Sequence, residues 1–187
     1  MATTTLAGTT GNDILNAPGS VTTLVAGYQG NDTITLVKAD DVARGGAGSD
    51  SITLNSTSPL NTVYGGEGND SLYLVTAAAS FNGSVNLGGG SDQFVNSAVQ
   101  VIGGSIGTNA GADTIRLLNG VLNAYVGGGA DNDSIAISGA QTNVTATGGK
   151  GADTIIIGAG TASLSTISGG DGHDRMLLTA AAGSNSY

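Results

Sequence analysis

An aspartate closes a glycine-rich turn nine times in this chain, at Asp13, Asp32, Asp50, Asp70, Asp92, Asp113, Asp133, Asp153 and Asp174. The intervals are 19, 18, 20, 22, 21, 20, 20 and 21 residues. The clearest copies read GYQGNDTITL (27–36), GGAGSDSITL (45–54), GGEGNDSLYL (65–74), GGKGADTIII (148–157) and GGDGHDRMLL (169–178). Two residues after each aspartate stands a large apolar residue: Leu15, Ile34, Ile52, Leu72, Phe94, Ile115, Ile135, Ile155 or Met176. Four residues after it stand Ala17, Leu36, Leu54, Leu74, Asn96, Leu117, Ile137, Ile157 and Leu178, with Asn96 the polar exception. Small polar residues such as Thr33, Thr35, Ser51 and Thr53 fill the gaps, and this period-2 alternation describes a half-buried strand.

A second short apolar stretch precedes each glycine turn, for example Leu24-Val25, Val63-Tyr64, Tyr125-Val126 and Ile167. Each repeat of about twenty residues therefore holds two short strands, a glycine turn and a looser turn. No segment sustains a 3.6-residue period, and TAAAS (76–80) and TAAAG (179–183) are too short to stand as helices. A two-strand unit cannot bury a core by itself, but stacked copies can, each strand pairing with its equivalent in the next coil. The expected fold is all-β: a parallel β-roll or β-helix solenoid of nine coils filling residues 1–187 as a single domain. At the spacing of paired strands the rod would be on the order of 40–45 Å long.

Composition excludes several alternatives. Thirty-three glycines could signal disorder, but the apolar residues keep a fixed phase. Five Lys and Arg against fourteen Asp and Glu leave a formal charge of −9, so nothing here neutralises nucleic-acid phosphates or docks on an anionic membrane. No cysteine is present for disulfides or thiolate metal sites, and no apolar run is long enough to insert in a membrane as a helix. The opening MATTTLAGTTGND lacks a basic n-region and an apolar core, so no cleavable secretory signal is expected there.

Stacking sets the nine aspartates in one column. Adjacent carboxylates about 5 Å apart repel by roughly 3 kcal/mol at an effective dielectric of 20, and a column of such contacts exceeds the stability of an ordinary domain, about 5–15 kcal/mol. A neutralising cation is therefore expected. Carboxylates and carbonyls on a flexible glycine backbone, with no nitrogen or sulfur donor, suit a hard and large ion, calcium.

GGEGNDSLY (65–73) and GGAGSDSIT (45–53) match the pattern G-G-x-G-x-D-x-U-x, and the chain thereby resembles the RTX (repeats-in-toxin) proteins over its whole length. The resemblance implies a calcium-loaded parallel β-roll in which each ion sits between neighbouring turns, held by aspartate carboxylates and backbone carbonyls. Carried onto this sequence, the ligands would be the nine aspartates together with Gly8, Gly27, Gly45, Gly46, Gly65, Gly66, Gly88, Gly128, Gly129, Gly148, Gly149, Gly169 and Gly170. Up to eight ions would lie in single file between nine turns. Thr9 and Tyr28 replace the second glycine beside Asp13 and Asp32, and Asp131 replaces the glycine two residues before Asp133. GGSIGTNAGAD (103–113) reads as a turn carrying an insertion. Family arrays place calcium turns on both sides of each coil. Here one side fits, and Asp41 is at best a relic of the other.

Other motifs carry less. Gly103-Gly104-Ser105-Ile106-Gly107 has the spacing of a nucleophile elbow, but TNAGAD is no helix and the sole histidine, His173, lies in the last glycine turn. Asp131-Asn132-Asp133 opens like an EF-hand loop without the closing Glu, and the Asn-x-Ser/Thr sequons are by-products of the repeat. No catalytic set emerges, and neither an enzyme nor a small-molecule site is expected. The outward series three residues after each aspartate turns apolar toward the C-terminus, at Val95, Ile156 and Leu177.

These readings describe a chain that is disordered without calcium and folds when the ion binds. The resemblance implies a bacterial protein, secreted or displayed on the cell surface by type I secretion. Three roles remain open: a structural subunit that self-assembles head to tail into a filament or surface lattice, a calcium-triggered folding and secretion module of a larger exoprotein, and, least favoured, an ice-binding solenoid. Thr10, Gln29, Ala47 and Glu67 form no rank that would suit ice.

Overall fold

The computed structural model describes residues 3–55, 60–75, 80–97, 100–160 and 162–179. The alternation read from the sequence appears as a parallel β-solenoid with no helix among these residues. One nine-stranded parallel sheet runs from Thr3–Ala7 to Thr166–Asp171, each strand leading into a glycine turn. A second, also nine-stranded, runs from Ile14–Asn16 to Arg175–Leu178, each strand leaving the turn. Coils are named below by their aspartate.

Pairing is in register throughout. Ile52 lies between Ile34 and Leu72, and Phe94 between Leu72 and Ile115. The residues two and four after each aspartate thus form two apolar columns facing the first sheet's Val25, Ala43, Val63, Val85, Ile106, Val126 and Ala146, and all of these first-sheet residues are buried. Asn96 is also fully buried within its column. At the last coil Met176 and Leu178 occupy core register, paired with Ile155 and Ile157, yet are each half exposed.

A third sheet was not anticipated. Val101–Ile102, Val121–Leu122, Gln141–Thr142 and Ala162–Ser163 pair in parallel, and an isolated bridge from Phe81 to Val101 carries the pattern one coil earlier. The later coils are therefore three-sided. Their aspartate intervals, 21, 20, 20 and 21 residues, are nearly constant. Earlier intervals of 19, 18, 20 and 22 change the number of residues that must round the far corner. A ladder needs equivalent residues at equal heights, and the constant spacing of the later coils supplies them.

The segment 103–113 holds no insertion. Ser105–Ala110 pairs with Ser84–Gly89 on one side and Tyr125–Ala130 on the other, with Asn109 opposite both Gly88 and Gly129. The turn is Thr108-Asn109-Ala110-Gly111-Ala112-Asp113, in step with its neighbours. Gly103, with φ of +75°, bends the chain at a different corner.

Candidate metal centre

Each glycine turn has three structurally distinct positions before its aspartate. Five residues before it, the chain is still a strand and that residue points inward, where Gly27, Gly45, Gly65, Gly128 and Gly148 are buried. A Cβ built on Gly45 would collide with Asp50 Oδ2 and lie 2.6 Å from the carbonyl oxygen of Gly65 in the next coil. On Gly27 it would meet Asp32 Oδ2 and Gly45 O in the same way. Glycine here leaves room for a carboxylate oxygen to face a carbonyl oxygen of the following coil.

Four residues before the aspartate, Gly46, Gly66, Gly88, Gly129, Gly149 and Gly170 have φ between +105° and +128°. Their missing side chains would run into the carbonyl of the preceding coil. Two residues before it, Gly30, Gly48, Gly68, Gly90, Gly111, Gly151 and Gly172 are also left-handed, and Asp131 substitutes at φ +74°, a conformation that Asp tolerates better than most residues. Tyr28 and Asn109 hold φ of +81° and +76° at the second position.

The aspartate side chains form a continuous ladder. Asp50 N donates to Asp70 Oδ1 at 2.8 Å, Asp70 N to Asp92 Oδ1 at 2.7 Å, and the same bond recurs from Asp13 through Asp174. One carboxylate oxygen is thus satisfied by the coil before. The other is not. Oδ2 of Asp32, Asp50, Asp70, Asp92, Asp113, Asp133 and Asp153 is buried with no hydrogen-bond partner. A buried, unpartnered anionic oxygen is among the costliest arrangements in a protein interior, and seven recur in one line.

Burial pushes the carboxyl groups of Asp70 and Asp133 up to about 7 and that of Asp92 to about 6. Asp50 and Asp113 are raised for the same first reason. In every case the N–H of the preceding aspartate opposes the shift, joined at Asp113 by the Thr108 hydroxyl, and neighbouring carboxylates add to it. The groups want either a proton or a cation. Among the described residues no three His, Cys, Asp or Glu side chains converge, so a cation would take one or two carboxylates and complete its shell from backbone carbonyls. Oxygen-only donors on glycine backbone fit calcium.

The column's ends differ from its middle. Asp13 is half-buried and its Oδ2 already accepts from Thr9 N at 2.6 Å and Thr9 Oγ1 at 2.9 Å. Asp174 is half-buried at the other end. Asp41 lies on the opposite corner, fully buried, with both oxygens engaged: Oδ1 accepts from Thr23 N at 2.8 Å and Oδ2 from Lys38 N at 3.1 Å. Its Oδ1 bond repeats the ladder geometry, but no orphaned oxygen is left for an ion. Ser105 opens a strand and not a helix, and His173 is an exposed turn residue.

Counting missed one position. Five residues before Asp92 and Asp113 stand Leu87 and Thr108, both fully buried, where the other turns carry glycine. Gly88, beside Leu87, holds the second position and not the first. The signal was available, because the strand alternation continues inward from Val85 to Leu87 and from Ile106 to Thr108.

The RTX calcium-binding nonapeptide repeat model matches residues 3–17, 26–56, 61–74, 137–164 and 159–180, in four copies. It passes over 75–136, which includes the Leu87, Thr108 and Asp131 turns. No curated protein matches the chain. Among solved structures it is similar to a hyperactive, Ca2+-dependent, β-helical antifreeze protein from an Antarctic bacterium, at a TM-score of 0.52 and 21% identity over 91% of this chain. The match spans 65% of that protein's crystallised chain and concerns the fold. With its turns, aspartate ladder and matched repeats taken together, this chain belongs to the RTX calcium-binding nonapeptide repeat family.

Proposed function

We propose that this chain is a calcium-dependent structural rod that folds outside a bacterial cell and joins end to end with further copies. The observation that carries the reading is the line of seven buried Oδ2 atoms without partners. Neutralising them turns ion-binding free energy into folding free energy. Extracellular calcium modules respond at about 10⁻⁴–10⁻³ M, so the chain would stay open in a cytosol and close on export.

End-to-end joining is supported by the edge strands Thr3–Ala7 and Arg175–Leu178, and by the half-exposed Met176 and Leu178 in core register. Adding a coil there would extend both sheets, and heterologous contacts of this kind propagate into open filaments. A second reading, a folding and secretion module within a longer exoprotein, draws on the same edges, met then by coils of the parent chain. Ice binding draws no support: the outward residues three before each aspartate are Thr10, Gln29, Ala47, Glu67, Gly89, Ala110, Ala130, Lys150 and Asp171, with a single threonine.

The test is a calcium titration followed by far-UV circular dichroism and light scattering, with EGTA reversal and magnesium as control. Calcium-specific gain of β-structure with reversible growth of large particles is expected. Folding to a stable monomer would replace the filament by the module. Full β-structure in EGTA would overturn calcium-dependent folding altogether.

A further inference from the structure

The calcium column is interrupted in its middle. In the Asp32, Asp50 and Asp70 coils, and again in the Asp133 and Asp153 coils, the inward residue of the turn is glycine and the orphaned Oδ2 lies against it. In the Asp92 coil that residue is Leu87, fully buried within the apolar core. A side chain there points into the interval between the Asp92 and Asp113 turns, because a Cβ at the equivalent Gly65 would meet the carbonyl oxygen of the next coil and the carboxylate of its own. Hydrocarbon supplies no ligand to a hard cation, and an isobutyl group cannot share the space with one.

The next interval is closed differently. Thr108 takes the inward position of the Asp113 coil, and its Oγ1 donates to Gly128 O at 2.8 Å. That carbonyl is the equivalent of Gly45 O and Gly65 O, which in the regular turns lie across from the carboxylate. The threonine hydroxyl holds the carbonyl that a cation would otherwise claim.

We infer that Leu87 and Thr108 block the two central intervals, dividing the column into an array of up to four ions in the coils before them and an array of two in the coils after. This rests on the calcium reading above and sharpens it from a single file to two. The centre is held by apolar packing in place of metal: Phe81, Val85, Leu87, Phe94, Val101 and Ile106 are all buried there and supply both phenylalanines of the chain. A segment of this kind can keep its structure at calcium levels where its neighbours have opened.

Native mass spectrometry at saturating calcium counts the ions directly. The parent chain is expected to hold no more than six. L87G/T108G should gain two, T108G alone one, and Ala112→Gly, outside the inward position, none. T108G keeps the core intact and so remains informative if the double variant folds poorly. Eight ions in the parent, or no gain in T108G, would overturn the interruption. If the parent binds no calcium at all, the calcium reading fails and this inference fails with it.

Discussion

The coils before Asp92 and those after it spend their regularity in different places. The early turns all keep glycine at the inward position, but their spacing wanders and only two sheets form there among the described residues. The later coils hold their spacing and gain a third sheet, though three successive turns, at Leu87, Thr108 and Asp131, depart from the pattern. A solenoid coil can thus be stabilised at its metal corner or along its far side, and neither demand controls the other. Early coils should depend more on the ion, and later coils more on packing.

The strongest way to break that contrast is calcium withdrawal followed by hydrogen exchange. Amides of 32–74 should lose protection first as calcium falls, and those of 85–126 last. Simultaneous loss would make the rod one cooperative unit and erase the distinction. Next in size are core truncations. Leu117→Ala, fully buried in a three-sided coil, should cost about 2–5 kcal/mol by chemical denaturation in calcium. Leu54→Ala, buried in a coil that shows no third ladder among the described residues, should fall at the low end of that range, and equal costs would mean that the third sheet contributes nothing.

Two glycines sharpen the metal corner. At Gly66, with φ of +128°, a methyl group would collide with Gly46 O, whereas at Gly89 it would meet nothing within 4 Å. Gly66→Ala should cost about 1–3 kcal/mol and Gly89→Ala within about 0.5 kcal/mol, measured as shifts in the calcium-loaded melting midpoint. A mild effect at Gly66 would mean that the turn has slack.

The smallest effect is the response of the calcium-free chain to pH. Asp70 and Asp133 are pushed up to about 7 and Asp92 to about 6 by burial, so each binds its proton more tightly folded than unfolded. Their stabilising contribution is full below the ordinary value of 3.8 and disappears as pH rises through about 6 to 7. Acidifying a metal-free sample from pH 8 to 5 should therefore restore part of the circular dichroism signal. A flat response would show that protons cannot stand in for the ion.

Much of this was legible in the sequence because a solenoid reduces folding to counting. The alternation at Ile34 and Leu36, repeated at Ile52 and Leu54, specified strand, face and register together. Asp131, read from the sequence as standing in a glycine's place, does take that glycine's left-handed backbone. The third sheet was hidden, because Val101–Ile102, Val121–Leu122, Gln141–Thr142 and Ala162–Ser163 are two-residue strands too short to alternate. The Asp113 turn was misread for a related reason: Gly103-Gly104 draws the eye, while Asn109 supplies positive φ without being glycine. The orphaned oxygens had no sequence signature, since only packing shows which side of a carboxylate faces an amide.

The ladder of amide-to-carboxylate bonds also has a direction. From Asp13 to Asp153, each aspartate N–H of the column points to the Oδ1 of the aspartate one coil later, never one coil earlier. Cut the column anywhere and the two fresh surfaces are unlike, one showing a donor and the other an acceptor. Unlike surfaces mate with each other, whereas two of the same kind would set donor against donor or charge against charge. A further coil continues this ladder directly only if it arrives with the same polarity, by translation along the column and not by a twofold turn.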